Sequence, residues 1–268
     1  MLKIFKDNSD VSLELESYVQ DYSLGVLADD EFIYVGYKKP INALYAHMTT
    51  PNTNSGTLSV EYFNGSDFTP VADLVERTKG LTENNFIEWS RNQDDEEMTT
   101  INSLEMFWIR ISIDVSTSAL TFRALNLLFS SDNELKEEAD YLLSSNYYHG
   151  SETSYVNYHQ ASRNQIIQRL RNQGYSVNNK SSGHHDLTIF DLLSFKQLQE
   201  ASKFMVLGKI FFFLSDAVED KYYQKYQDYK RLSNEAFNTF FLSIDKNDDG
   251  VEDKHEKAGF KTGLIKRV

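Results

Sequence analysis

Apolar and polar positions change rhythm once along this chain. Up to about residue 130 the period is two. Leu58, Val60 and Tyr62 alternate with Ser59, Glu61 and Phe63. Phe107, Ile109, Ile111 and Ile113 alternate with Trp108, Arg110, Ser112 and Asp114. Alternation with one polar face predicts an antiparallel, half-exposed sheet. Strands are expected over Phe32–Lys39, Ile41–Met48, Thr57–Phe63, Phe107–Asp114 and Leu120–Phe129, all rich in β-branched and aromatic residues. Turn formers separate them: the run Pro51–Gly56, and Asn64-Gly65 as a hairpin turn. Several short strands at this spacing favour a sandwich over a parallel sheet.

From about residue 131 the period becomes helical. Ser131-Asp132-Asn133-Glu134 reads as a capping box, with Leu135, Ala139, Leu142 and Leu143 turned inward. A second helix is expected from about Glu152 to Asn172, with Gly174 as its C-cap. The stretch Asn178–His185 reads as a polar loop, and Thr188 with Asp191 as another helix start. The helix over Phe195–Asp216 carries two apolar stripes. One is Leu198, Ala201, Met205, Gly208 and Phe212; the other is Phe204, Leu207, Phe211 and Leu214. Two stripes imply a central helix covered on both sides, and Ala201 and Gly208 allow a neighbour's backbone to come close. A last long helix is expected over Asp220–Ile244. Four such helices with short connections make a small bundle.

The expected fold is therefore α+β with two domains. An antiparallel β-sandwich occupies 1–130 and a helical bundle 131–253, followed by an extended C-terminal arm over 254–268. The 18 Phe, 16 Tyr and 2 Trp supply enough buried area for two cores. The net charge of −13 repels phosphate backbones, which argues against nucleic-acid binding. Cysteine is absent, which excludes disulfides and thiolate metal sites. No leader is recognisable at the N-terminus, and no apolar run approaches the roughly 20 residues that span a bilayer, so a soluble protein is expected.

One motif carries metal chemistry. In Asp245–Glu256, the residues Asp245, Asn247, Asp249, Val251 (through its carbonyl), Asp253 and Glu256 fall at the ligand positions of a twelve-residue calcium loop, with Gly250 at the sharp turn. The eighth position is Glu252 rather than an apolar residue, and the segment after Glu256 is a poor helix. A divalent site, with Ca2+ as the only cofactor in prospect, and a plain Asp/Asn/Gly turn both fit. His184-His185-Asp186 lacks a third ligand fixed by spacing, and no nucleophile elbow, phosphate loop or dinucleotide fingerprint occurs. A non-enzymatic role is expected. Asp94-Asp95-Glu96-Glu97 reads as a solvated loop. Trp89, Trp108, Tyr62 and Tyr45 read as core, or alternatively as sugar-stacking groups.

The tail differs from the rest. From Lys254 on it holds five Lys/Arg against the single acid Glu256. Phe260, Leu264, Ile265 and Val268 are interleaved with Lys261, Lys266 and Arg267. A basic, apolar, Gly-spaced arm on an acidic protein suits docking on a partner.

In the β half, Tyr62-Phe63-Asn64-Gly65, Thr78–Leu81 and Phe107-Trp108-Ile109-Arg110-Ile111 resemble a module recurring in tail and neck proteins of tailed bacteriophages. In the α half, Tyr158–Tyr175, Leu187–Asp216 and Asp220–Leu232 are similar to the helical head–tail connector (adaptor) proteins. This resemblance implies a structural virion protein of the phage neck, made in the host cytoplasm and assembled as a homo-oligomeric, twelvefold ring. It implies docking on the portal protein, and on other neck and tail proteins, through the bundle and the C-terminal arm. The arm residues Phe260, Lys261, Leu264, Ile265, Lys266, Arg267 and Val268 are the expected contacts. No membrane and no sequence-specific nucleic acid is expected. The alternative is a decoration or receptor-recognition protein that binds carbohydrate on its sandwich.

Overall fold

The computed structural model describes residues 2–6, 9–12, 15, 20–90, 95–144, 146–148, 152–179, 183–218, 220–240, 242–245 and 257–258. The chain divides into two compact units, Met1–Leu127 and Leu128–Val268. The fold is α+β: an antiparallel β-sandwich followed by a helical unit.

In the first unit the strands are β1 (Lys3–Lys6), β2 (Ser9–Asp10), β3 (Tyr22–Gly25), β4 (Ile33–Tyr37), β5 (Ala43–Thr50), β6 (Leu58–Phe63) and β7 (Phe68–Pro70). They continue with β8 (Ala72–Glu76), β9 (Asn85–Ser90), β10 (Met98–Ile101), β11 (Leu104–Ile113) and β12 (Leu120–Asn126). One sheet has the order β2-β1-β4-β11-β6-β7, with β10 also pairing β11; the other has the order β3-β12-β5-β9-β8. In β6 the alternation seen in the sequence becomes burial, with Leu58, Val60 and Tyr62 inside and Ser59 outside. Asn64-Gly65 does form the β6–β7 turn. Gly65 takes φ 91°, and the Asn64 side chain accepts from the Ser66 and Asp67 N–H groups.

The strands β1, β3, β8 and β10 carry too little alternation to be expected from sequence. The β10–β11 hairpin turns on Asn102 and Ser103, both at positive φ (50° and 67°). Two positive-φ central residues give the turn whose twist matches its strands.

The second unit holds α1 (Asp132–Ala139), α2 (Val156–Asn172), α3 (Gln199–Leu214) and α4 (Lys221–Thr239). The capping box at Ser131 and Glu134 is formed. Gly174 follows α2 at φ 88° and donates its N–H to Arg171. Leu135, Ala139, Leu142, Tyr155, Val206, Leu207, Ile210 and Phe211 make one apolar core. α3 and α4 run antiparallel: Ser233 Oγ–H donates to the Ala201 carbonyl at 2.9 Å near one end, and Phe211 stacks on Tyr222 near the other. A Cβ on Gly208 would lie 3.7 Å from the Lys230 nitrogen, so the close approach expected at that glycine is present.

Several expected boundaries are corrected. α2 begins at Val156 and not Glu152; Tyr155 stands at its N-cap, with its N–H on the Asp132 carboxylate at 3.2 Å. The stretch read as a polar loop is a hairpin of β13 (Ser176–Asn179) and β14 (Gly183–Asp186), whose Val177 is fully buried. Thr188 and Asp191 do form a capping box, but on a single 3-10 turn over Ile189–Asp191. Phe195–Leu198 is also a 3-10 turn, ahead of α3. The last helix stops at Thr239, and Leu242–Ser243 is a strand, β15, paired with β16 (Lys257–Ala258).

Candidate functional site

The last turn of α3 outruns the core that covers the rest of the helix. Burial is continuous from Val206 to Gly208 and includes Ile210 and Phe211. Phe212 and Phe213 then stand 58% and 50% exposed, and Val218 in the following turn 71%. Phe212 was expected inside with its stripe. Its ring leans on Tyr226 of α4 with centroids 5.0 Å apart, but the rest of it faces solvent. Adjacent large apolar groups in water are unfavourable unless something covers them, at about 25 cal/mol per Å².

These side chains wall a groove of about 720 Å³ that Tyr158, Lys209, Tyr223 and Tyr226 also line. Lys209 is half-buried in it, and burial pushes its ammonium pKa below the ordinary lysine value. Asp216 sits exposed on the rim, with Asp220 just beyond it. Asp220 caps α4, its carboxylate accepting from the Tyr222 N–H at 3.1 Å and the Asp216 N–H at 3.3 Å. The site is thus an aromatic trough with an acidic lip and one desolvated lysine. That chemistry suits packing against apolar side chains; among the described residues it shows no nucleophile with an adjacent base.

The residues singled out from the sequence fare differently. Asp245 is buried and donates its N–H to the Asp191 carbonyl at 2.9 Å. Asn247, Asp249, Val251, Asp253 and Glu256 lie outside the described residues, as do the arm residues Phe260, Lys261, Leu264, Ile265, Lys266, Arg267 and Val268. What is described is the fastening on either side. Leu242 pairs with Ala258 and Ser243 with Lys257, so the two ends of the loop are side by side. Lys257-Ala258 is therefore a strand and not part of a free arm. Among the described residues no group of three or more His, Asp or Glu is placed to hold a metal.

The four aromatics named as sugar-stacking alternatives are core. Trp108, Tyr45, Tyr62 and Trp89 are between 1% and 5% exposed. No sugar ring can lie on them. His185 packs into the fold, its Nε2 3.0 Å from the Asp191 carboxylate, which is what a structural hairpin histidine does. Asp94 lies outside the described residues, and Asp95 is exposed between β9 and β10.

Sequence reasoning missed a buried polar cluster in the second unit. Ser130 Oγ lies 2.9 Å from His159 Nδ1 and 2.8 Å from Ser202 Oγ. His159 Nε2 lies 3.2 Å from Asp132 Oδ1, and Ser162 Oγ 3.1 Å from Ser202 Oγ. Burial by itself would raise the Asp132 carboxyl, but the His159 hydrogen bond and charge, Ser154 and the Tyr155 N–H hold it below the ordinary aspartate value. The constituents resemble a Ser-His-Asp relay. Ser130 and Ser202 are fully buried and Ser162 with them, so no substrate atom reaches the hydroxyls. The only sequence signal was Ser162 and His159 facing inward at helical spacing.

No protein-family model matches the chain, and no curated protein matches it. Two solved structures that share some likeness come from Clostridium perfringens. One, CpGH89CBM32-6, is 10% identical, and the match covers 47% of this chain and 90% of that one at a TM-score of 0.29. The other, a family 89 glycoside hydrolase in complex with PUGNAc, is 12% identical. That match covers 64% of this chain and 20% of the hydrolase at a TM-score of 0.25. Likeness this slight carries no argument about fold or function. No helix among the described residues is long and apolar enough to cross a membrane.

Proposed function

We propose that the protein is a structural assembly component, and that it acts in the neck of a tailed bacteriophage as a ring-forming connector. In this reading it binds copies of itself and the portal protein, and catalyses nothing. The observation that carries the assembly reading is the exposed aromatic trough formed by Phe212, Phe213 and Val218 at the end of α3. Contiguous exposed aromatics on a compact domain mark interaction surfaces, where Phe and Tyr are enriched relative to the rest of the surface. The sequence resemblance of Tyr158–Tyr175, Leu187–Asp216 and Asp220–Leu232 to connector bundles supports the placement in the neck.

The test is oligomeric state followed by imaging. Light scattering on the full chain at tens of micromolar should give a defined assembly larger than one copy, and negative-stain images should show closed rings. Co-sedimentation with a portal ring should retain the protein. A sample that remains monomeric throughout and passes the portal unbound would sink the reading.

A further inference from the structure

The groove and the point where the chain leaves the fold lie at opposite ends of the α3–α4 pair. β15 is fastened at the N-terminal end of α3: the Ser243 N–H donates to Gln197 Oε1 at 2.7 Å, and Gln197 Nε2 donates back to the Ser243 carbonyl at 3.2 Å. β16 pairs with β15, so Ala258 sits at that same end. The groove lies at the C-terminal end of α3. From Gln199 to Phe212 is thirteen residues of helix, about 20 Å at 1.5 Å per residue.

Residues 259–268 follow Ala258. They carry Phe260, Leu264 and Ile265 together with Lys261, Lys266 and Arg267, and no acid, in a chain of net charge −13. Ten residues span at most roughly 33–36 Å when fully stretched. To fill the groove of its own fold, this segment would spend most of that length on the climb, leaving little chain to lay side chains into the trough. The corresponding segment of a second copy, stacked end to end, meets no such limit.

We propose that residues 259–268 of one copy dock in the aromatic groove of the next, their apolar side chains against Phe212, Phe213 and Val218 and their cations over Asp216 and Asp220. The inference rests on the assembly reading above and deepens it by naming the contact. Joining one end of a subunit to the other end of its neighbour is a heterologous contact, which closes a ring or propagates a filament.

Complementation tests this directly. One variant is truncated after Ala258 and keeps the groove; the other carries Phe212→Asp and Phe213→Asp and keeps the tail. Circular dichroism and melting confirm that each is folded. If the double variant is not, Val218→Asp takes its place. In sedimentation velocity the full chain should assemble and each variant alone should stay monomeric. Their equimolar mixture should form a dimer and stop there, because it holds one working tail and one working groove. A fluorescein-labelled peptide of residues 259–268 should bind the truncated chain by anisotropy and lose roughly tenfold or more in affinity, at least 1.4 kcal/mol, on Phe212→Asp. If the truncated chain assembles like the full one, the tail-in-groove contact is wrong while the assembly reading stands. If the full chain is monomeric and the peptide does not bind, both fall.

Discussion

His159 Nε2 and Asp132 Oδ1 lie 3.2 Å apart, joining the first turn of α2 to the first turn of α1. The histidine is 1% exposed, whereas the Asp132 side chain keeps 21% of its surface. Because the folded carboxyl titrates below its ordinary value, its contribution is complete above the unfolded pKa of about 3.9 and disappears as pH falls through the lower folded value. Asp132→Asn should destabilise by about 1–2 kcal/mol at neutral pH. It should also flatten the loss of stability below pH 4, read from urea titrations across pH 2–7. An unchanged acid limb in the variant would show that other carboxylates set it.

Asn52 ties three loops of the sandwich together while 3% exposed. Its Nδ2 donates to the carbonyls of Asn54 and Gly80, and its Oδ1 accepts from the N–H groups of Asn54 and Ser118. Removing the amide leaves buried partners unpaired. Asn52→Ala should therefore cost about 2–3 kcal/mol in chemical denaturation. Asn52→Asp, which keeps the acceptor and loses the donor, should also destabilise.

Two glycines predict opposite outcomes. A Cβ on Gly36 would sit 2.6 Å from the Trp108 ring, which is fully packed and donates its indole N–H to the Thr99 carbonyl at 3.0 Å. Gly36→Ala should cost about 1–3 kcal/mol through overpacking. On Gly208 the nearest atom is 3.7 Å away, ordinary contact distance. Gly208→Ala in mid-helix should then stabilise, by up to about 1 kcal/mol, through lower unfolded-state entropy. Thermal melts of the two variants should move in opposite directions.

Ser131 caps α1 while fully buried. Its hydroxyl meets the Asn133 N–H at 3.3 Å and its own N–H donates to Glu134 Oε2 at 2.6 Å. Ser131→Ala should cost about 1 kcal/mol in urea denaturation, and Ser131→Asp should not recover it, because it would set a buried carboxylate against Glu134 Oε2, to which the Ser131 hydroxyl donates at 2.7 Å.

Local chemistry was written plainly in the chain. The two-residue period of Leu58–Tyr62, the Asn64-Gly65 turn, the Ser131/Glu134 box and the Gly174 cap each depend on a few neighbouring residues, and each formed where the pattern placed it. β10, β13 and β14 were not legible because these short polar runs show no clear alternation, although their pairing is local: Ile101 with Leu104 across a turn of two positive-φ residues, and β13 with β14 in a hairpin whose Val177 enters the core. The composition of the Asp245–Glu256 run and of residues 259–268 is a sequence fact, whereas the pairing of Ser243 with Lys257 that brackets the run came from the fold. Periodicity tells which residues avoid water along one helix, but not how far the neighbouring helix reaches. Only the tertiary packing of α4 on α3 decided that Phe211 is covered while Phe212 and Phe213 are left facing solvent. Burial depends on what lies across the interface, and that partner is chosen by the whole chain.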